Sequence, residues 1–225
     1  MISIKGLHKY FNRSRANEIH VINNVTLDLP KRGMVAIFGK SGCGKTTLLN
    51  VIGGLDKYAE GSITVAGENM SAGSDELRNR HIGYIFQNYN LSQSQTCYEN
   101  VANALILAGL KDKAEIAART EAALRGVGME KYAKRAPDTL SGGQQQRIAI
   151  ARALANKPSI LFADEPTGNL DGKSGREVLS LLKYVSKEFG ITLILVTHDL
   201  NVAEQAERII TIEDGKIVRD TKAGV

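Results

Sequence analysis

Apolar residues along this chain fall into two kinds of pattern. The first is short and strand-like. Ile2-Ser3-Ile4, residues 19–22 and Val25-Thr26-Leu27-Asp28-Leu29 alternate or cluster as half-buried strands do. Pro30-Lys31-Arg32-Gly33 marks a turn, and the unbroken apolar run 34–38 behind it predicts a fully buried strand. Residues 61–67, bounded by glycines, predict another strand, and residues 81–87 predict one that ends on polar Gln87. From about Thr96 to Asn156 the character changes to Ala-rich, helix-forming sequence with few β-branched clusters, and the stretch 101–110 predicts a buried helix. Strand patterns return at 159–163, 191–196 and 208–212, with helical periodicity between them that is clearest over 175–189. That order predicts an α/β core interrupted by a helical insertion. The 225 residues contain no tandem repeat, low-complexity tract or clear linker, so a single domain is expected.

Composition narrows the class. Hydrophobic residues make up 43% of the chain and charged residues 24%, enough for a full core and an ordinary surface. No apolar run approaches the ~18 residues that span a bilayer. Met1-Ile2-Ser3-Ile4-Lys5 lacks the basic and apolar regions of a signal peptide. Two cysteines make no disulfide framework, so a soluble protein of a reducing compartment is expected. The formal net charge of +5 is spread in runs of no more than two Lys or Arg. With no aromatic-interleaved basic stripe, nucleic acid is not an expected partner.

Chemistry enters at Gly39-Lys40-Ser41-Gly42-Cys43-Gly44-Lys45-Thr46, a G-x-x-x-x-G-K-[ST] phosphate loop of the Walker A type set between a predicted strand and a predicted helix. Glycines let the backbone N–H groups turn inward on phosphate oxygens, and the helix N-terminus behind them adds positive potential. Lys45 is suited to the β- and γ-phosphates and the Thr46 hydroxyl to Mg²⁺. Far downstream, the apolar run 160–163 delivers two adjacent carboxylates, Asp164 and Glu165. At the C-terminal end of a parallel strand these lie where ligand binds in such sheets. Asp164 can hold Mg²⁺ directly or through water, and Glu165 can orient or deprotonate the water that attacks a γ-phosphate. Val196-Thr197-His198-Asp199 repeats the arrangement, with His198 placed to sense the γ-phosphate. Gln87, at the junction with the helical insertion, is suited to Mg²⁺ or to the attacking water.

These motifs, together with Leu140-Ser141-Gly142-Gly143-Gln144 and Gly168-Asn169-Leu170-Asp171, occur in an order that resembles the nucleotide-binding domains of ABC transporters over essentially the whole chain. The resemblance implies a RecA-like phosphate-loop NTPase core with an antiparallel β subdomain, over 1–87 and 157–225, and an α-helical subdomain over 88–156. It implies an ATP-hydrolysing, translocase-class enzyme that uses Mg²⁺ and pairs head to tail as a homodimer around two ATP. Each ATP would lie between the loop residues Gly39, Ser41, Gly42, Cys43, Gly44, Lys45, Thr46 and Thr47 of one chain and Ser141, Gly142, Gly143 and Gln144 of the other. The signature residues open a predicted helix over 144–155, so hydroxyl, N–H groups and helix dipole can face phosphate. The resemblance also puts Asp171 at the dimer seam, and an adenine-stacking aromatic at Phe11, with Tyr10 the alternative.

Residues 165–171, 82–91 and 53–56 look more narrowly like the macrolide-exporter and lipoprotein-release branch. Members of that branch drive permeases with four membrane helices and a large extracytoplasmic domain, from the cytoplasmic face of the membrane. The chain then serves as a separate subunit or as a domain of an ATPase–permease fusion. In the family a groove at the Gln87 joint receives a permease helix, and Tyr89 and Leu91 are the expected contact residues. The alternative is a soluble ABC ATPase acting on DNA or ribosomes. Its long coiled-coil insertions or tandem ATPase domains have no counterpart in these 225 residues.

Overall fold

Two β-sheets carry the chain, and the phosphate loop leaves the end of a central strand of one of them. A computed structural model describes residues 2–222. Strands β1 (Ile2–Phe11) and β2 (Ile19–Leu29) form an antiparallel hairpin, followed by β3 (Gly33–Phe38) and helix α1 (Lys45–Ile52). Next come β4 (Glu60–Val65), β5 (Glu68–Asn69), α2 (Asp75–His81) and β6 (Ile82–Ile85). Three helices come after these, α3 (Cys97–Leu107), α4 (Lys113–Gly126) and α5 (Gly142–Leu154). The remainder is β7 (Ile160–Asp164), α6 (Gly172–Phe189), β8 (Thr192–Thr197), α7 (Leu200–Ala203), β9 (Arg208–Glu213) and β10 (Lys216–Lys222).

One sheet is antiparallel, in the order β2-β1-β4-β5. The other runs β10-β9-β3-β8-β7-β6, parallel from β9 to β6, with β10 antiparallel at the edge. Its inner strands are apolar throughout because both faces are covered, as parallel sheets require. On one face Ile2, Leu7, Leu49, Ile52 and Phe162 join the antiparallel sheet and α1 in a continuous core. On the other, Leu161, Leu193 and Leu195 pack with Val101, Ile148 and Leu182 of the helices. Each such side chain contributes about 1.5–3 kcal/mol when fully buried.

Several boundaries differ from the pattern-based expectation, for local reasons. The helix expected over 175–189 starts at Gly172, since the Asp171 carboxylate accepts the N–H groups of Lys173 and Ser174 and caps it there. The signature helix starts at Gly142 rather than 144. Ser141 is its N-cap, and a capping box with Gln144 closes the first turn. The strand expected over 61–67 stops at Val65, where Ala66 and Gly67 take φ of 54° and 92° and turn into β5. Strand β10 has no counterpart in the hydrophobic pattern, because its polar residues and exposed Val218 carry little alternation.

Two corrections bear on binding. The helix expected to be buried over 101–110 buries Val101, Ala102 and Leu105 but exposes Ile106 (51%) and Leu107 (81%) at its end. Leu91, expected on a docking surface, is 8% exposed and packs in the helical core, so it offers a partner nothing.

Candidate nucleotide site

The parallel register brings the motifs together. Phe38 of β3 pairs with Thr197 of β8, Asp164 of β7 with Val196 of β8, and Ile85 of β6 with Ala163 of β7. The segments leaving these strands therefore emerge along one edge: the phosphate loop, Asp164-Glu165, His198 and Gln87.

The phosphate loop is shaped by its glycines. Gly44 has φ of 100°, and a Cβ there would sit 2.7 Å from the Val21 carbonyl oxygen, so only glycine lets the loop reach α1 against β2. Lys45 is buried at the first position of α1, and its ammonium donates to the carbonyl oxygens of Gly39 and Lys40 at 2.8 Å each. A cation is thereby held inside the turn of the loop, where phosphate oxygens would meet it. Ser41 and Gly42 flank this turn, Ser41 exposed and Gly42 at φ of 81°, while Cys43 is half-buried as a free thiol.

Thr46 donates its hydroxyl to Asp164 Oδ1 at 3.0 Å, joining the end of the loop to the end of β7. Two neighbouring ligands of an octahedral Mg²⁺, each at about 2.1 Å, are separated by about 3 Å, so these two oxygens suit that ion. Among the described residues no cluster of three or more His, Cys, Asp or Glu offers a metal site. Burial, reinforced by the Glu165 charge, raises the Asp164 pKa against the lowering effects of Thr46 and Lys45.

Glu165 is the strained residue of the site. Its φ is 44° although it is not glycine, and it precedes Pro166, which further restricts its backbone. Such conformations cost about 1–3 kcal/mol and persist where the surroundings enforce them. Here Glu165 N–H donates to the Val196 carbonyl and Gly168 N–H returns to the Glu165 carbonyl, each at 3.0 Å. The carboxylate faces His198, whose Nδ1 lies 2.9 Å from Oε1 and 2.8 Å from Oε2. Gln87 comes to the same place: a Cβ on Gly168 would sit 3.1 Å from Gln87 Nε2 and 3.3 Å from Glu165 Oε2. The site therefore combines a held carboxylate, an imidazole, an amide, an ammonium and a metal-suited oxygen pair. That set can bind a polyphosphate and take a proton from water.

The two aromatic candidates point to different environments. Tyr10 is committed to a stack with His20, centroids 4.1 Å apart, and carries the Arg13 guanidinium on its ring. Phe11 pairs with Ile19 of β2, is 40% exposed, and has the Lys9 ammonium 5.0 Å from its ring centre. Phe11 therefore has a free ring surface near the hairpin end, and Tyr10 does not.

The signature lies elsewhere on the chain. Cβ atoms added to Gly142 and Gly143 would meet Tyr89, Leu170 and Ser174 first, none of them in the phosphate loop. Exposed Asp171 spends its carboxylate on capping α6, and hydrogen bonds from Ser174 lower its pKa.

A family model described as ABC transporter matches residues 22–168, more than half of the chain. The chain belongs to the ABC transporter family. The macrolide export ATP-binding/permease protein MacB of Mannheimia succiniciproducens is 47% identical over 226 aligned residues, covering 99% of this chain and 35% of that protein. The protein of the same name from Neisseria gonorrhoeae is 43% identical, over 98% of this chain and 34% of its own length. The cassette thus spans about a third of these curated relatives. Among solved structures, the dimeric post-hydrolysis state of the ATP-binding cassette MJ0796 bound to ADP and Pi matches with a TM-score of 0.90 at 39% identity, covering 100% of both chains. A second dimeric MJ0796 structure, described as a bacterial ABC transporter cassette, gives 0.89 at 40% identity with the same coverage. The RecA-like core with its antiparallel sheet and added helices is the fold of this cassette, and its activity is that of an ABC ATPase.

Three further residues brace the site, and the sequence assigns none of them a role. Asn169 donates to the Gln87 carbonyl (3.1 Å) and to Asn88 Oδ1 (3.0 Å). Arg152 donates to the Tyr89 carbonyl at 2.8 Å and also to that of Asn90. Gln146 reaches the carbonyl of Pro166. Asn169 belongs to the Gly168-Asn169-Leu170-Asp171 motif, which gives it no role of its own; the other two sit in ordinary helical sequence.

The raised Asp164 pKa yields a signed prediction. Between the carboxylate's unfolded and folded pKa values the native state holds the extra proton, so stability falls as pH rises through that window. Asp164→Asn should therefore raise the melting temperature of the nucleotide-free cassette above the window. The gain should vanish as pH falls through it. Differential scanning calorimetry across pH checks this, and a lower melting temperature at neutral pH contradicts it.

Proposed function

We propose that two copies of this cassette close head to tail around two ATP molecules and that their hydrolysis drives a membrane permease. The observation that carries the reading is the convergence of Lys45, the Thr46–Asp164 oxygen pair and the Glu165–His198 pair at one sheet edge. The phosphate loop holds the triphosphate, Lys45 meets its terminal oxygens, and Phe11 offers the adenine a ring face. Thr46 and Asp164 hold Mg²⁺, with Gln87 completing the set. The ion, when bound, neutralises charge on the phosphate oxygens. Glu165 takes the proton of the attacking water, and His198 fixes the carboxylate while facing the γ-phosphate. Gly142 neighbours Tyr89 and Leu170, and Gly143 neighbours Ser174 of α6, none of them in their own phosphate loop. Ser141 is exposed at a helix start, so a second chain's nucleotide is its natural ligand. The dimeric state of the MJ0796 cassette supports this arrangement.

The partner is a permease of the four-membrane-helix, large-extracytoplasmic-domain type, in the same polypeptide or a separate one. The reading rests on the family branch and on relatives that join ATP-binding and permease functions. No helix among the described residues is long and apolar enough to cross a membrane. The cassette then works at the cytoplasmic face through its permease. With Leu91 buried, Ile106 and Leu107 at the end of α3 offer an exposed apolar pair for docking.

Glu165→Gln should keep ATP binding, lower hydrolysis by roughly 10²-fold or more, and accumulate ATP-bound dimer. Near-wild-type turnover would remove Glu165 as the base. In the same assay Phe11→Ala should raise the Michaelis constant by the equivalent of about 1–3 kcal/mol, and Tyr10→Ala should not. For the partner, Leu107→Glu should leave the ATPase of the isolated cassette unchanged while the permease no longer co-purifies. Retained co-purification places docking elsewhere.

A further inference from the structure

Pro166 comes directly after the strained carboxylate and has no N–H, so the carbonyl is the only polar handle on its backbone. That carbonyl accepts a hydrogen bond from Gln146 Nε2 at 3.0 Å. Gln146 lies in α5, five residues after the signature serine Ser141, and is fully buried. Its other amide atom, Oε1, is buried without a hydrogen-bond partner among the described residues. A buried orphan acceptor is costly, and a methionine or leucine would fill similar space without it. Packing therefore does not account for a glutamine here. Its amide N–H does, because it fixes the peptide beside a glutamate held at φ 44°.

We infer that Gln146 is a positioning residue for ATP hydrolysis, holding the Glu165–Pro166 turn so that the carboxylate faces the attacking water. The contact also joins two functional ends. Ser141 caps the start of α5, where the other chain's nucleotide is proposed to bind, and Gln146 touches the turn that carries this chain's own carboxylate. A shift of α5 when the signature engages nucleotide is thus passed to Glu165 through one amide. Gln87 lies within reach of that turn, beside Gly168 and the Glu165 carboxylate. This inference rests on the proposed role of Glu165.

The test compares Gln146→Met, Glu165→Gln and the double variant. Gln146→Met removes one buried orphan and creates another at the Pro166 carbonyl, so the melting temperature should stay close to wild type. The Michaelis constant for ATP should be unchanged and kcat should fall by roughly tenfold or more, since small misplacements of a reacting group are costly. ATP-bound dimer should persist, as in Glu165→Gln. Under single-turnover conditions, adding Gln146→Met to Glu165→Gln should cause no further loss, because the two act through one group. An unchanged kcat overturns the inference. So does an equal loss in the Glu165→Gln background, or a slow enzyme that forms no ATP dimer. If Gln146→Met does not fold, Gln146→Leu makes the same comparison. Normal turnover by Glu165→Gln would instead overturn the base assignment itself. An inactive Glu165→Gln beside a fully active Gln146→Met would sink only the role of Gln146.

Discussion

The site exists because β3, β8, β7 and β6 run parallel in fixed register. Each strand carries apolar residues for most of its length and chemistry just past its last buried position. Parallel pairing sets those exits side by side. Thr46 and Asp164 are 118 residues apart in sequence and 3.0 Å apart in space for this reason. A slip of one residue in β7 would reverse its faces, exchanging buried Phe162 for its neighbours and moving Asp164 away from Thr46. The hydrophobic layers on both faces of the sheet forbid that slip, so the cores on either side fix the positions of the Thr46 and Asp164 oxygens.

Against this rigid edge, the turn after β7 is held under strain. Glu165 occupies a left-handed backbone position ahead of a proline, and the hydrogen bonds around it come from three elements. One is β8, through Val196. Another is its own turn, through Gly168. The last is α5, through Gln146. The same helix uses Arg152 to hold the carbonyls of Tyr89 and Asn90, themselves at positive φ, in the segment after Gln87. Helix α5 thus grips both the turn that carries Glu165 and the segment after Gln87, while its N-terminus carries the signature. Strain that is fixed from several sides can be released or tightened by moving one of them, and α5 is the side that the proposed second subunit would reach.

Much of this is legible in the sequence where function is written in spacing. The phosphate loop, the paired carboxylates after an apolar run and the capped signature have patterns that few other arrangements share, and the structure brings Lys45, Thr46, Asp164, Glu165, His198 and Gln87 together. Burial set by distant packing is not legible. Leu91 reads as a surface residue next to polar Asn88 and Asn90, yet it closes the helical core. Ile106 and Leu107 read as core and emerge at the surface. Gln146 sits in a run of three glutamines in which nothing distinguishes the buried one, because that depends on which side of α5 meets the turn after β7. Phe11 and Tyr10 separate only in three dimensions, where His20 occupies the Tyr10 ring.

The central claim is that each active site is shared between two chains. It is tested most directly by mixing two inactive variants. Lys45→Ala disables the phosphate loop and keeps the signature, whereas Ser141→Arg blocks the signature and keeps the loop. In a head-to-tail heterodimer, one site combines both defects and the other combines both intact halves. ATP hydrolysis should therefore appear on mixing, at a level neither variant shows alone. A mixture no more active than the sum of its separate components would contradict a shared site.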